Sequence, residues 1–491
     1  MFLRSLVFGL CFSISAWAKP LLLVQHPRPL VQKIELLRAG TTQNIIGPSY
    51  SLSQNRRALD IKVRMFPILS SPYRDPFPVV RNPFNFSIQN EKFFQILRFS
   101  DNKILGRGKT VTFDFLKEKL FVDGTEIPLE ELILTPEDNS SLSRVLWDKS
   151  EKNAENESVE MSLDMRGGFL ITKTDFFPIH SRIRKVLDKK LPRAPEKSQD
   201  PRSLWSVLNV LPLNYYLQSV LPSEISAKWH PEALRTQAIA ARTYALYELA
   251  YSRDKLKRNW DVDPTTWYQS YRGVKYRQGE SSLKIEAPQT NEAVKSSRHR
   301  IVTYQGEVIK AYFSANSGGV TCSAKECFEL QSENPPYLTS VPDAEGVLEK
   351  PYGKWGQFAN VTRETIKQKL LTLGFPSMIE VDEMLLGLIG ETGRVWTLDI
   401  NLMNGEQIKL NRRQSRAMLM LFGSIRSYLY RLDPPDQKGQ QKVTGHGYGH
   451  GVGMSQYGAL LFAEGGKTAE QILTYFYTGT GITQIANEDD I

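Results

Sequence analysis

From residue 445 to 459 the chain reads Gly-His-Gly-Tyr-Gly-His-Gly-Val-Gly-Met-Ser-Gln-Tyr-Gly-Ala, with glycine at six of fifteen positions. Glycine at this density disfavours a helix and lets the main chain come close to a ligand or to another strand. His446 and His450 stand four apart, the spacing of a helical metal pair. The glycines around them argue against the helix, and so against a catalytic zinc site. The Lys-Ser/Thr ending of a phosphate-cradling loop is also missing. This segment therefore constrains the fold through close backbone approach rather than through side-chain periodicity.

More than 200 residues earlier, Leu221-Pro-Ser-Glu-Ile225 places a carboxylate, Glu224, on a Pro-Ser turn between two helix-like segments. Leu213, Leu217 and Val220 recur at helical spacing, and Leu221, Pro222 and Ile225 surround the acid with apolar groups. Desolvation of that kind raises a carboxyl pKa, as a general acid requires. The alternative is a plain one, in which Ser223-Glu224 opens a helix with the acid at its positive end. After the turn, Leu234, Ala238, Ala241 and Ala245 form a narrow small-residue stripe suited to close helix packing, with Tyr244 and Tyr247 on a neighbouring face.

The chain opens with one cation, Arg4, an apolar run from residue 6 to 14 and Ala16-Trp17-Ala18, which reads as a cleavable secretory signal over residues 1–18. No later segment is apolar enough to span a bilayer, so an exported protein that is not integral to a membrane is expected. Removing Arg4 takes the formal charge from +9 to +8 (9 − 1). On an exported basic protein this fits anionic envelope glycans better than nucleic acid, which is not expected as a partner. Cys11 leaves with the signal. Cys322 and Cys327 remain, and in an oxidising compartment one local disulfide is the default. Their spacing excludes a Cys-x-x-Cys redox motif, and no further ligand stands near them to build a zinc site.

At 491 residues the length suggests two to three domains. Residues 19–200 read as mainly β. A hairpin is predicted over 109–127 across Asp123-Gly124, and a second joins 158–165 to 168–172 across Arg166-Gly167. A charged, proline-containing linker is expected near 186–203. Residues 201–485 read as a separate α+β domain, with strands at 301–304 and 308–313, a hairpin over 395–410, and helices at 412–430 and 468–477.

The segments His450-Gly-Val-Gly-Met-Ser-Gln-Tyr-Gly-Ala459, Leu221-Pro-Ser-Glu224 and Ala233-Leu-Arg-Thr-Gln-Ala-Ile-Ala-Ala-Arg-Thr-Tyr-Ala245 closely resemble the SpoIID/LytB family, stage II sporulation protein D and its relatives. Pro288-Gln-Thr-Asn291, residues 314–321, Thr392-Gly-Arg-Val395 and residues 472–479 match as well, so the resemblance covers roughly 204–482 in the family's order. It implies a core of helices and antiparallel strands around a glycan groove. It further implies a lytic transglycosylase acting on peptidoglycan between N-acetylmuramic acid and N-acetylglucosamine, preferring peptide-stripped strands.

The catalytic acid then falls on Glu224. Gln237, Arg242, Tyr244, Gln269, Tyr271, Ser317, Gly318, Gly319, His450, Ser455 and Gln456 match positions expected to bind substrate, with helix packing an equal alternative for Gln237 and Arg242. Some members carry a Cys/His cluster that binds zinc where this chain has Asp263, Trp267 and Tyr268. One aspartate and two aromatics do not make a zinc site, so neither metal nor cofactor is expected. Other relatives enhance a cell-wall amidase, which makes such an amidase a further candidate partner. A Ser-His esterase built from Ser317 or Ser455 with His450 is the third reading, although no nucleophile-elbow sequence accompanies it.

Overall fold

The computed structural model describes residues 60–66, 85–173 (apart from 115–116, 118, 129, 139 and 153–157), 205–252, 259–278, 281–328, 335–419, 421, 425–434, 436 and 441–485. The signal expected at 1–18 and the linker expected near 186–203 lie outside them. The architecture is α+β, with the strands concentrated in the N-terminal part.

The first half builds one large curled antiparallel sheet. Its members are β1 (Asp60–Phe66), β2 (Asn85–Arg98), β3 (Ile104–Asp114), β4 (Lys119–Val122), β5 (Thr125–Ile127), β6 (Leu132–Pro136), β7 (Ser143–Lys152), β8 (Ser158–Met165), β9 (Gly168–Lys173) and β10 (Trp205–Pro212). β11 (Lys275–Gln278) and β12 (Ser281–Lys284) complete it, in the order β1-β10-β9-β6-β2-β7-β8-β11-β12, with β3, β4 and β5 branching from β2.

The Asp123-Gly124 turn joins β4 to β5 as expected, both residues at positive φ, the geometry a two-residue hairpin demands. The second hairpin does not form. β8 pairs with β7 and β11, whereas β9 pairs with β6 and β10. Gly167, at φ 78°, is instead a corner that sends the chain across to the far side of the curl; a Cβ there would lie 2.3 Å from the Val210 carbonyl oxygen.

β10 lies between β1 and β9, so chain from beyond residue 204 is part of the same sheet and the same apolar core as the N-terminal strands. That core is closed by α1 (Leu213–Glu224) and α2 (Pro231–Tyr251). α2 is buried on nearly every side, which its apolar and small residues permit. Leu234, Ala238, Ala241 and Ala245 face the sheet core. Ala233, Ile239, Ala240 and Tyr244 face a second core made with Val452, Met454, α7 (Gln456–Glu464) and α8 (Ala469–Phe476).

Between these come α3 (Pro288–Ser296), β13 (Arg300–Tyr304), β14 (Glu307–Val308), β15 (Phe313–Ser314) and the short α4 (Ala324–Cys327). The strand expected at 308–313 is broken. It ends at Val308, and only Phe313 and Ser314 pair again, in a parallel ladder with β22 (Met454–Ser455). β23 (Gly481–Gln484) pairs with β13.

A third core forms a lobe of its own from β16 (Lys354–Val361), α5 (Arg363–Thr372), β17 (Val381–Leu386), β18 (Leu398–Leu402), β19 (Gln407–Lys409), α6 (Arg412–Leu419), β20 (Leu429–Leu432) and β21 (Gln441–His446). The 412–430 helix stops at Leu419, because Leu429–Leu432 pairs with β21 instead.

Candidate active site

α1 is apolar along its buried face, and it runs through Pro222 to end on Glu224, with Ile225 already extended and its N–H bonded to the Leu221 carbonyl. The acid is therefore at the negative end of a helix and not at the positive end of the next one, which removes the plain N-terminal reading. Glu224 is half-buried, and the Ser270 backbone N–H donates to its Oε1 at 2.7 Å.

The loop that supplies this donor, residues 261–273, is fastened at many points. Asp261 accepts from the Lys62 N–H of β1 and the Ser252 hydroxyl, and Val262 bridges Val63. Asp263 accepts from the backbone and hydroxyl of Thr265 and lies 3.9 Å from Arg64. Gln269 is buried, accepting from the Tyr216 hydroxyl and donating to the Ala241 carbonyl. Tyr271 is buried too; its hydroxyl donates to Asn209 at 2.6 Å and its ring stacks 5.4 Å from Tyr216.

Gln269 and Tyr271 thus hold the loop against α1 and α2 from beneath and do not present themselves to a substrate. Burial, then the nearby Glu224 charge, raises the Tyr216 phenol well above its usual range. Trp267, on the same loop, is 47% exposed. The Ser270 hydroxyl is buried and has no hydrogen-bond partner among the described residues. Sequence reasoning missed Ser270, because a backbone donor has no residue-type signature.

The glycine-histidine segment packs against residues 312–318. Gly451 and Gly453 adopt φ 74° and 72°; a Cβ on Gly451 would meet Arg394 Nη2 at 2.2 Å, and one on Gly453 the Tyr312 carbonyl oxygen at 2.2 Å. The Arg394 guanidinium takes up the room left at Gly451, and the Tyr312 main chain the room left at Gly453.

His450 packs against the rings of Tyr312 and Phe328, which also meet each other. Its Nδ1 accepts from the Val452 N–H at 3.0 Å, and the ring also hydrogen-bonds the Phe313 backbone. The proton therefore belongs on Nε2. Burial, followed by the Arg394 charge, lowers its pKa to about 4 against the opposing Phe313 bond, so the ring is neutral at ordinary pH.

Ser317 and Ser455 are buried, and both bond to Asp343, a residue with no sequence signal of its own. Ser455 also caps α7, accepting from the Gly458 N–H. Burial raises the Asp343 carboxyl pKa, and its hydroxyl and backbone donors offset part of that. Neither serine bonds His450, so the esterase constellation is not assembled.

Arg394 is buried and binds the Ser317 and Val320 carbonyls and Thr392. It stood in the Thr392-Gly-Arg-Val395 match, but nothing in that stretch predicted its reach into the 317–320 turn. Gly318 and Gly319, at φ 79° and 108°, form that half-buried turn. Gln456 is buried at the start of α7.

Arg242 and Gln237, the two polar residues of α2 matched to the family, both lie inside the fold. Arg242 is fully buried and donates to the Ser297 and Val294 carbonyls and to Asn214. Gln237 is buried, and its amide has no hydrogen-bond partner among the described residues. Tyr244 is buried against Tyr312 and Phe313. The sulfurs of Cys322 and Cys327 are bonded, closing the turn that carries α4. No cluster of three or more metal-ligating side chains occurs among the described residues.

Comparison with known proteins agrees with this layout. The stage II sporulation protein (SpoIID) family profile matches residues 202–304, and the domain of unknown function DUF8618 matches 360–453, much of the third lobe. An uncharacterized protein of Brachyspira hyodysenteriae is 32% identical over 279 residues, covering 56% of this chain and 68% of the relative. Stage II sporulation protein D of Bacillus subtilis is 31% identical over 284 residues, 57% of this chain and 76% of the relative. The amidase enhancer of the same organism is 25% identical over 307 residues, 54% of this chain but 40% of its own length. With its acid-bearing helix, its glycine-histidine segment and these relatives, the chain belongs to the stage II sporulation protein D (SpoIID/LytB) family.

Proposed function

We propose that this protein is an exported peptidoglycan lytic transglycosylase that acts on peptide-stripped glycan, with Glu224 as the group that performs the chemistry. The placement of Glu224 carries the reading: a half-exposed carboxyl at the end of a rigid, buried helix, its Oε1 held by a main-chain N–H. A fixed carboxyl of this kind suffices for the reaction. As an acid it protonates the glycosidic oxygen between muramic acid and glucosamine. As a carboxylate it then takes the proton from the muramic C6 hydroxyl while that oxygen attacks C1. The product is a 1,6-anhydro sugar, formed without water or a covalent enzyme intermediate. Trp267 offers an exposed ring for a sugar face on the loop whose Ser270 N–H meets the acid.

Purified protein incubated with sacculi, with and without prior amidase treatment, should release anhydro-ended fragments detectable by mass spectrometry, and more after amidase treatment. Glu224→Gln should release none. Full activity in that variant would remove Glu224 from the mechanism. The amidase-enhancer relative supports a second reading, in which the protein holds glycan and stimulates a separate amidase. Anhydro products formed with no amidase present would exclude that as the sole function.

A further inference from the structure

A row of aromatic rings begins at Trp229, five residues beyond Glu224 in the chain. Trp229 meets Tyr457 at 4.9 Å between ring centroids, Tyr457 meets Tyr352 at 6.3 Å, and Tyr352 meets Tyr448 at 4.8 Å. Trp229 and Tyr457 are half-buried, whereas Tyr352 and Tyr448 are 41% and 42% exposed. The four residues come from the α1–α2 connection, α7, the turn before β16 and the glycine-histidine segment, so the fold gathers them from four separate parts of the chain.

Two observations separate this row from ordinary surface packing. Tyr352 sits at φ 66°, a conformation a bulky side chain adopts only under strain, and its ring is nonetheless held out against Tyr448 in solvent. Arg426 is exposed and lies over both rings, its guanidinium carbon 5.5 Å from the Tyr352 centroid and 6.0 Å from that of Tyr448. It forms no ion pair with a carboxylate among the described residues.

We propose that this row is a binding track for an extended glycan strand, with Arg426 placed to pair with a carboxylate borne on the sugars. Pyranose rings present C–H faces that lie on aromatic rings and hydroxyls that meet the tyrosine edges, which a purely apolar partner would leave unsatisfied. A guanidinium with no ion pair among the described residues selects an acidic strand over a neutral one, such as a strand whose lactyl carboxylates are no longer capped by peptide. Because the row starts in the connection that follows Glu224, a strand bound along it is delivered to the acid. The inference rests on the transglycosylase reading for the identity of that strand.

The test uses the full-length protein carrying Glu224→Gln, so that binding is measured without turnover. Affinity is read by titration with peptide-stripped glycan strands and with neutral β-1,4-linked N-acetylglucosamine oligomers of matched length. The parent should bind the acidic strand more tightly, with an advantage that shrinks as salt is raised. Tyr448→Ala should weaken both ligands about tenfold. Arg426→Gln should weaken the acidic strand about tenfold and leave the neutral oligomer within twofold.

Tyr352→Gly should lose affinity like Tyr448→Ala while its melting temperature holds, since glycine accepts the positive φ. A variant that fails to fold is replaced by Tyr448→Phe, which keeps the ring and should keep the affinity. Unchanged binding in Tyr448→Ala and Tyr352→Gly overturns the track, and equal losses for both ligands in Arg426→Gln overturn the carboxylate assignment. Track-dependent binding together with no anhydro product from the wild-type protein would leave this inference standing and sink the transglycosylase.

Discussion

Glu224 and His450 are both half-buried polar side chains carried by the motifs that mark the family, yet their surroundings are opposite. Glu224 ends a helix, with a single loop, residues 261–273, bringing a main-chain donor to it. His450 packs against Tyr312 and Phe328, with the backbone of Val452 and Phe313 at its nitrogens and Arg394 close by. Around the acid, one carboxylate oxygen accepts from the Ser270 N–H and the side chain stays partly exposed. Residues around the histidine keep it neutral and spend its hydrogen bonds on joining two pieces of chain. The longer and more distinctive sequence motif is thus the one spent on joining chain to chain, and the short one carries the acid to which the proposed chemistry is assigned.

The largest expected effect tests the acid. Glu224→Gln retains an oxygen to accept the Ser270 N–H, so the fold should hold within about 0.5 kcal/mol, as for most partly exposed substitutions. Glycan cleavage should fall by at least about a hundredfold, the usual share of a general acid-base group. A loss of thermal stability that accompanies the loss of activity would break the contrast, making Glu224 a structural group like His450.

The next effect tests the seam. Gly453→Ala forces a Cβ onto the Tyr312 carbonyl, which already accepts from the Met454 N–H and the Tyr477 hydroxyl, at a φ that disfavours alanine. Conformational strain and overpacking together should cost about 3 kcal/mol, read as a lower urea midpoint. A near-neutral result would mean that the segment is not locked against residues 312–318. Asp343→Asn is milder. The amide can still serve Ser317 or Ser455 but not both as the carboxylate does, so about 1–2 kcal/mol should be lost. Glycan cleavage per folded molecule should stay unchanged in this variant.

The same contrast explains what could be read before the fold was in view. Glycine at every second position from 445 to 453 announced close backbone approach, because only a missing Cβ permits it, and the apolar spacing of Leu213, Leu217 and Val220 located the buried face of α1. Pairing across long sequence separation was not legible. The ladder that puts β10 between β1 and β9, and the reach of Asp343 and Arg394 into the 317–320 turn, depend on which segments meet, and local pattern is silent on that. Gln269 and Tyr271 were read as substrate contacts, and Arg242 as either a substrate contact or a helix-packing residue, because polar residues in family motifs invite it. Each instead satisfies a buried backbone or side-chain partner, a role that residue type alone does not separate from ligand binding.

The smallest effect comes from titrating His450. Its pKa of about 4 in the folded protein lies below the ordinary 6.5, so between these values the unfolded chain binds a proton that the folded chain refuses. Stability from this residue is fully present above about pH 6.5 and is lost as the pH falls toward 4. Going from pH 7 to pH 5.5 should therefore cost about 1 kcal/mol through His450 alone. His450→Asn removes the titrating ring while keeping an acceptor for the Val452 N–H. It should be less stable than the wild type at pH 7, and the gap should narrow by about that amount at pH 5.5, measured as paired urea midpoints. A gap that stays constant would mean that His450 takes up its proton at an ordinary pH in the folded state. The histidine would then not be held neutral by the seam around it, and the contrast drawn with the partly exposed Glu224 would fail.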